Sequence, residues 1–131
     1  MIEEPLLSIA ALVARIFLSM VFLVSGIDKS INFSAAMEEF SAERVPLLPF
    51  SLIATIVLHL AGSVCLIAGW FVTESALLLA LFTLAATIHV HDFWNMEGSE
   101  RVERSRIALA NLGLVGGLLL LAAVGPGTYI L

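Results

Sequence analysis

The chain has 131 residues, 60% of them hydrophobic, and a mean hydropathy of +1.07. Six basic residues stand against eleven acidic ones with no basic stripe, which excludes a nucleic-acid partner. The single cysteine, Cys65, cannot form an internal disulfide or a Cys-x-x-Cys pair for dithiol exchange. This composition is typical of an integral membrane protein, whose first partner is the lipid bilayer.

Four apolar runs are each long enough to cross a bilayer, since about 20 apolar residues in a helix span about 30 Å of hydrocarbon. They cover residues 6–27, 50–71, 75–94 and 107–124. The sequence shows no linker between them and no internal repeat. The sequence therefore predicts an all-α fold, a four-transmembrane-helix bundle that forms a single membrane domain over the whole chain. Acidic residues at the start replace the basic region of a signal peptide, so we expect the first span to be retained.

The first loop, residues 28–49, has a pattern of its own. Ser34 can cap a helix, and Met37 and Phe40 recur three residues apart while the acidic side chains point elsewhere. The pattern predicts a short interfacial helix that ends before Val45-Pro46. An ordinary solvated loop is the alternative for so short a segment.

The other two connections differ in length and charge. The connection around residues 71–74 is so short that its two helices must be antiparallel neighbours. The connection over residues 95–105 is charged and is predicted to be a solvated loop.

The basic residues outside the spans predict the orientation in the membrane. Four spans place both termini on the side of the second connection, and that side carries no Lys or Arg outside the spans. The first and third loops hold Lys29, Arg44, Arg101, Arg104 and Arg106. Because positive loops stay inside, we expect both termini outside the cytoplasm of a cell membrane and the two charged loops inside.

Ionisable residues within spans are informative, because each is costly in lipid unless it faces a partner or water. Arg15 in the first span is interpreted either as a donor to an anion or a quinone carbonyl, or as a tether between helices. His59 in the second span lies at a similar depth, so we expect the two side chains to meet. A lone histidine on an apolar helix is more often a satisfied core residue than a ligand.

A polar cluster ends the third span. His89 and Asp92 share a helix face, whereas His89 and His91 diverge and are a poor metal chelate. His59 and His89 differ by about one turn in depth, so a haem between them is not expected. We predict no metal site. Side chains reaching the lipid headgroups would account for much of this cluster.

Asn111 enters the fourth span from the same side, and Asp28 and Lys29 close the first span there. Polar groups therefore converge on the inner ends of three helices, where they can form a pocket or simply pair at the interface. Gly113 and Gly117 have the four-residue spacing that lets helix backbones approach closely, which indicates packing rather than chemistry.

Seven short motifs follow one another along the chain. They are Arg15, Gly26-x-x-Lys29, Phe40 with Val45-Pro46, Gly62 to Gly69-Trp70, His91-Asp92-Phe93-Trp94, Asn111-x-Gly113-x-x-Gly116-Gly117 and Gly125-Pro126-Gly127. In this order they resemble the DoxX family of small four-helix membrane proteins. Where that family usually carries a glutamate in the second span, this chain has His59, so a proton or ion role of that glutamate does not transfer.

The resemblance implies a redox function. A DoxX-related subunit belongs to a membrane thiosulfate:quinone oxidoreductase, and other members resemble partners in complexes that handle thiol or oxidative stress or maturation factors for redox enzymes. We therefore expect a membrane subunit or anchor of a redox complex, with partner subunits and a quinone as cofactor. The residues expected to bind that quinone are Arg15, His59, His89 and Asn111.

Two other functions stay open. The chain can be a non-catalytic membrane interaction or assembly protein whose polar cluster only holds helices together. A small-solute or proton-coupled transporter is disfavoured, because the spans carry no paired carboxylates and no broken helices. The sequence also leaves open whether the chain forms a homo-oligomer.

Overall fold

The structure, a computed structural model, describes residues 3–90 and 92–131, and these residues form helices and connections without a strand. In chain order the helices are α1 (Glu4–Ile31), α2 (Phe33–Ala42), α3 (Phe50–Ala68), α4 (Val72–Val90) and α5 (Gly98–Val124), with a 3-10 turn at Phe93–Asn95. Helices α1, α3, α4 and α5 supply four candidate membrane spans. The predicted all-α fold with four spans and a short additional helix is confirmed.

Two helices are longer than the apolar runs that predicted them. α1 continues to Ile31, and α5 begins at Gly98 instead of residue 107. The predicted solvated loop over residues 95–105 is therefore wrong for most of its length. Its Glu and Arg residues are good helix formers. Hydropathy marks the part of a helix that lies in lipid, whereas the helix itself continues beyond it.

The short helix α2 follows α1 after one residue, Asn32. The prediction that Ser34 caps this helix is wrong, because Ser34 lies within α2. Asn32 occupies the capping position, and its side-chain amide donates to Asp28 of α1 at 2.8 Å. α2 packs against α1 and α3. Its position at the membrane interface stays a prediction.

The bundle is built from helix pairs that approach closely at small residues. α1 packs on α3, α4 packs on α3 and α5, and α3 and α4 are neighbours as predicted. A Cβ added at Gly26 would lie 2.8 Å from a methyl carbon of Leu60, so α1 and α3 are in contact there. Of the two glycines predicted to pack, Gly117 would place a Cβ 3.2 Å from Leu18, whereas nothing lies within 4 Å at Gly113.

The C-terminal residues fold back onto the turn between α3 and α4. The backbone N–H of Leu131 donates to the carbonyl of Ala68, and the indole N–H of Trp70 donates to the carbonyl of Leu131, both at 2.9 Å. The N–H of Thr128 donates to the hydroxyl of Ser8 at 3.3 Å. We call this region the termini end (residues 3–8, 68–72 and 125–131) and the opposite region the charged end (residues 28–49 and 92–106).

Candidate functional site

Arg15 is held by backbone carbonyls at the termini end. The residue is 1% exposed. Its Nε donates to the carbonyl of Leu66 and its Nη2 to that of Ile67, each at 2.7 Å. Its Nη1 donates to the carbonyls of Pro126 at 2.9 Å and Tyr129 at 2.6 Å. Leu66 and Ile67 belong to the last turn of α3, whose carbonyls have no intrahelical partner, so Arg15 caps α3 and ties the tail to it.

The predicted contact between Arg15 and His59 is wrong. A Cβ at Gly69 would lie 3.0 Å from Arg15 Nη2, whereas a Cβ at Gly26 would lie 3.2 Å from the Cβ of His59. The two levels of α1, residues 15 and 26, are separated by roughly 16 Å at 1.5 Å per residue. The error came from the helix ends: α1 runs to Ile31, so Arg15 lies farther from the charged end than the apolar run suggested.

His59 is buried on α3, with 5% of its surface exposed. Its Nδ1 lies 3.1 Å from the hydroxyl of Ser25, which accepts a hydrogen bond from Lys29 Nζ at 2.8 Å. The imidazole makes edge-to-face contacts with Phe22 and Phe82, whose ring centroids lie 5.2 and 4.8 Å away. Three helices therefore hold the ring in place.

A cavity of about 520 Å³ extends from His59 to the charged end. It lies between α2 and α4, two helices that do not pack on each other within the described ranges. We call it the α2–α4 cavity. Its apolar walls come from Phe40, Val45, Pro46, Ala54, Leu58, Phe82, Ala85, Ala86 and Val90, and its polar groups from Lys29, Glu39, Glu43, Ser51, Thr55, His59 and His89.

Two polar atoms of the cavity residues are left without partners. Among the residues that the structure describes, Ser51 Oγ and His59 Nε2 are the buried side-chain polar atoms that make no hydrogen bond. Both belong to residues that line the α2–α4 cavity. An unsatisfied buried polar group costs roughly 1–3 kcal/mol, so such atoms mark a place where a ligand or a water molecule would be stabilised.

Polar contacts hold the connection between α2 and α3 beside this cavity. His89 Nε2 donates to the backbone carbonyl of Glu43 at 3.1 Å, and the Glu43 carboxylate pairs with Arg104 at 3.2 Å. Arg104 also donates to the carbonyl of Val90 at 3.2 Å. A second cavity, of about 540 Å³, shares Glu43 and His89 with the first. The Glu43–His89 contact therefore lies at the boundary of an apolar and a more polar space.

Comparison with known proteins places this bundle in a family. The model of the DoxX family matches residues 10–92, more than half of the chain. The chain belongs to the DoxX family. Its relatives include the inner membrane proteins YqjF and YphA of Escherichia coli strain K12. YqjF is 32% identical over 126 residues, covering 96% of this chain and 92% of that protein. YphA is 26% identical over 120 residues, covering 92% of this chain and 86% of that protein. No solved structure is significantly similar.

In this DoxX-family bundle the four predicted site residues lie at three places. His59 and His89 line the α2–α4 cavity, whereas Arg15 lies at the termini end. Asn111 joins α5 to α4 by donating from Nδ2 to Thr87 Oγ1 at 3.1 Å. A single pocket among all four is therefore not formed. A role of each residue in cofactor binding stays a prediction. His91, part of the predicted cluster, lies outside the described residues.

The sequence reading missed Ser25, the residue that links Lys29 to His59. Ser25 and Lys29 are four apart on one helix, a spacing that predicts contact between their side chains. The contact from Ser25 to His59 depends on the register between α1 and α3, for which the sequence offers no local signal. Lys29 therefore contacts Ser25, one turn earlier on the same helix.

Proposed function

We propose that this DoxX-family protein is a membrane subunit of a redox complex and that it binds a quinone in the α2–α4 cavity. One observation carries the proposal: the buried polar atoms without partners, Ser51 Oγ and His59 Nε2, belong to residues lining one cavity of about 520 Å³. Ligand pockets commonly have volumes of roughly 300–1,000 Å³, with apolar walls and a few polar groups that orient the ligand.

The chemistry of the cavity suits an amphipathic molecule with a polar ring. Apolar side chains such as Leu58 and Phe82 dominate the walls around His59, and Lys29, Glu39 and Glu43 bring charge to the charged end. A quinone combines carbonyl oxygens with an apolar ring and tail, so it satisfies polar atoms without removing the apolar contacts. The redox assignment itself rests on the resemblance of the motifs to the DoxX family.

A second function, a non-catalytic assembly or anchor protein, is favoured by the partners of Arg15. The side chain most expected to hold a ligand donates to four backbone carbonyls instead. Asn111 likewise joins two helices. In this alternative the polar groups stabilise the bundle, and partner subunits bind its surface.

We also propose that the protein lies in the cell membrane with the charged end facing the cytoplasm. YphA and YqjF are inner membrane proteins, and the Lys and Arg residues outside the spans lie at the charged end. A quinone in the α2–α4 cavity would then lie toward the cytoplasmic side of the bilayer.

The experiment is purification from native membranes in mild detergent, followed by mass spectrometry of lipophilic molecules and of co-isolated proteins. We expect about one quinone per chain, as for a dedicated pocket. Ala54→Phe should abolish retention, because Ala54 lines the cavity and the larger side chain fills it.

Ala61→Phe is the matched control. Ala61 is an exposed alanine of α3, seven residues from Ala54 and therefore on nearly the same helix face, but it does not line the cavity. We expect the control variant to retain quinone. Quinone absent from the parent protein even after addition of quinone contradicts the cavity proposal. Partner subunits without quinone would support the assembly function.

A further inference from the structure

We propose that His59 presents Nε2–H as a hydrogen-bond donor, that Ser25 and Lys29 fix this tautomer, and that the α2–α4 cavity therefore prefers a carbonyl to a hydroxyl ligand. For a quinone, the oxidised form binds more tightly than the quinol. The inference rests on the proposed quinone site and names the ligand chemistry that this site selects.

The first step is the direction of the hydrogen bond between Lys29 and Ser25. An ammonium group has three donors and no acceptor, so Lys29 Nζ donates and Ser25 Oγ accepts, at 2.8 Å. A serine hydroxyl has a single proton besides its lone pairs. That proton is free to be donated elsewhere.

The second step is the destination of the Ser25 proton. Helical hydroxyls usually donate to the carbonyl one turn earlier, and Ser30, Thr55 and Thr83 do so here at 2.7–2.8 Å. The other partner of Ser25 Oγ is His59 Nδ1, at 3.1 Å. If Nδ1 donated, the Ser25 proton would have no acceptor among the described residues, so we infer that Ser25 donates and Nδ1 accepts.

The third step fixes the other ring nitrogen. A neutral imidazole with Nδ1 as acceptor carries its proton on Nε2. This Nε2 is buried and makes no hydrogen bond within the described residues. A carbonyl oxygen can accept from it with a full lone pair. A quinol hydroxyl cannot give its proton to this Nε2 and accepts more weakly than a carbonyl, so the reduced ligand gains less from His59.

Of the charged groups around the cavity, Lys29 supports the same preference. Lys29, on α1, lines the cavity beside His59 and favours an electron-rich oxygen. The carboxylates of Glu39 and Glu43 favour a donor instead, but Glu39 is exposed and Glu43 is already paired with Arg104. Ser25 and Lys29 are thus positioning residues that act through His59.

The tautomer can be measured without any ligand. In NMR of the purified full chain with isotope-labelled histidine nitrogens, we expect neutral His59 with a protonated Nε2, its signals assigned with His59→Gln. Ser25→Ala should let the Nδ1–H tautomer appear. Ser30→Ala is the matched control, because that hydroxyl donates to the carbonyl of Gly26 and should leave His59 unchanged. A protonated Nδ1 in neutral His59 of the parent protein overturns the inference.

Ligand preference is the second measurement. Decylubiquinone and anaerobically reduced decylubiquinol are titrated into the parent protein and into Ser25→Ala and Ser30→Ala. We expect the parent and Ser30→Ala to bind the quinone roughly two- to tenfold more tightly, the range that one net hydrogen bond supplies. In Ser25→Ala the ratio should fall toward one.

The outcomes separate this inference from the proposed function. Equal binding of both forms, or tighter binding of the quinol, overturns the inference and leaves quinone binding in place. An unchanged ratio in Ser25→Ala overturns the positioning role of Ser25. Binding of neither form overturns the proposed function and the inference with it, whatever the tautomer.

Discussion

Arg15 shows how a buried cation can serve the backbone rather than a ligand. In surroundings without water, the carbonyls at the end of a helix must find donors within the protein. The planar guanidinium supplies several donors in fixed directions, and here they reach two carbonyls of α3 and two of the tail. The geometry favours the tether among the two interpretations of Arg15.

Arg15→Leu should therefore destabilise the bundle by at least about 3 kcal/mol, because it leaves four carbonyls without a donor at roughly 1–3 kcal/mol each when buried. Arg15→Lys should recover only part of this loss, since an ammonium is a compact point charge that lacks the planar fork of donors. Thermal unfolding of detergent-purified protein measures both effects.

The control for this series is Arg106→Leu, an exposed arginine of α5, which should change stability by no more than about 0.5 kcal/mol. An Arg15→Leu variant as stable as the parent, but depleted of bound quinone, would restore the ligand interpretation of Arg15.

At the scale of elements, the closeness of the helices depends on particular glycines. Gly26 lets α1 approach α3 at the level of His59. Gly62 lets α3 approach α4, since a Cβ added there would lie 3.1 Å from a methyl carbon of Leu79. Gly113 on α5 has open space beside it. The same residue type thus has a packing role at one position and none at another.

Gly26→Ala should destabilise the protein by about 1–3 kcal/mol, the usual cost of forcing extra volume into a packed contact. The added methyl would lie 2.8 Å from Leu60 and 3.2 Å from the Cβ of His59, so quinone retention should fall as well. Gly113→Ala is the control and should be neutral or stabilising by up to about 1 kcal/mol, because alanine favours helix. If the two variants were equally stable, the contact at Gly26 would not limit how closely α1 and α3 pack.

The connection after α2 is held more weakly. Glu43 and Arg104 have side chains 28% and 25% exposed, so their pair is screened by water and salt. Glu43→Gln should lower stability by less than about 1 kcal/mol, and the difference should shrink at high salt. Glu38→Gln, at an exposed position of α2, is the control in the same denaturation experiment. A loss of several kcal/mol would mean that this pair is much more deeply shielded than its exposure indicates.

The number of spans, the extra helix and the polar groups at the charged end could be predicted from sequence, because hydropathy and charge are local signals. The contacts of Arg15 and His59 could not. They depend on where the helices end and on the register between helices. The end of α1 lies four residues beyond the predicted one, and the start of α5 lies nine residues before it. The α2–α4 cavity could not be predicted either. It exists because α2 and α4 do not pack on each other, and no residue type in the sequence signals that absence of packing.

For the whole molecule, the arrangement of ends constrains the topology in the membrane. Contacts from Leu131 to Ala68 and from Thr128 to Ser8 bring the tail, the turn after α3 and the start of α1 to one end. The basic residues outside the spans lie at the other end. Both termini therefore lie on the same side of the membrane, and the orientation of the bundle determines which side that is.

A reporter that is active only outside the cytoplasm, fused after Leu131, should be active, because the termini end carries no Lys or Arg outside the spans. The same reporter fused after Glu97, at the charged end, should be inactive. The reverse pattern, checked with a reporter that is active only in the cytoplasm, would invert the orientation and place the α2–α4 cavity on the outer side.

The partners of Arg15 also impose an order of assembly during synthesis. Its acceptors on α3 are translated 51 and 52 residues after it, and those of the tail 111 and 114 residues after it. Until α3 and the tail have been made, the guanidinium of the first helix lacks these four acceptors. Two of its bonds become available when α3 enters the bilayer and two more when the tail arrives. Arg15 thus couples the stability of the earliest span to completion of the latest segment, because a chain stalled within α5 would supply the two carbonyls of α3 and lack the two of the tail.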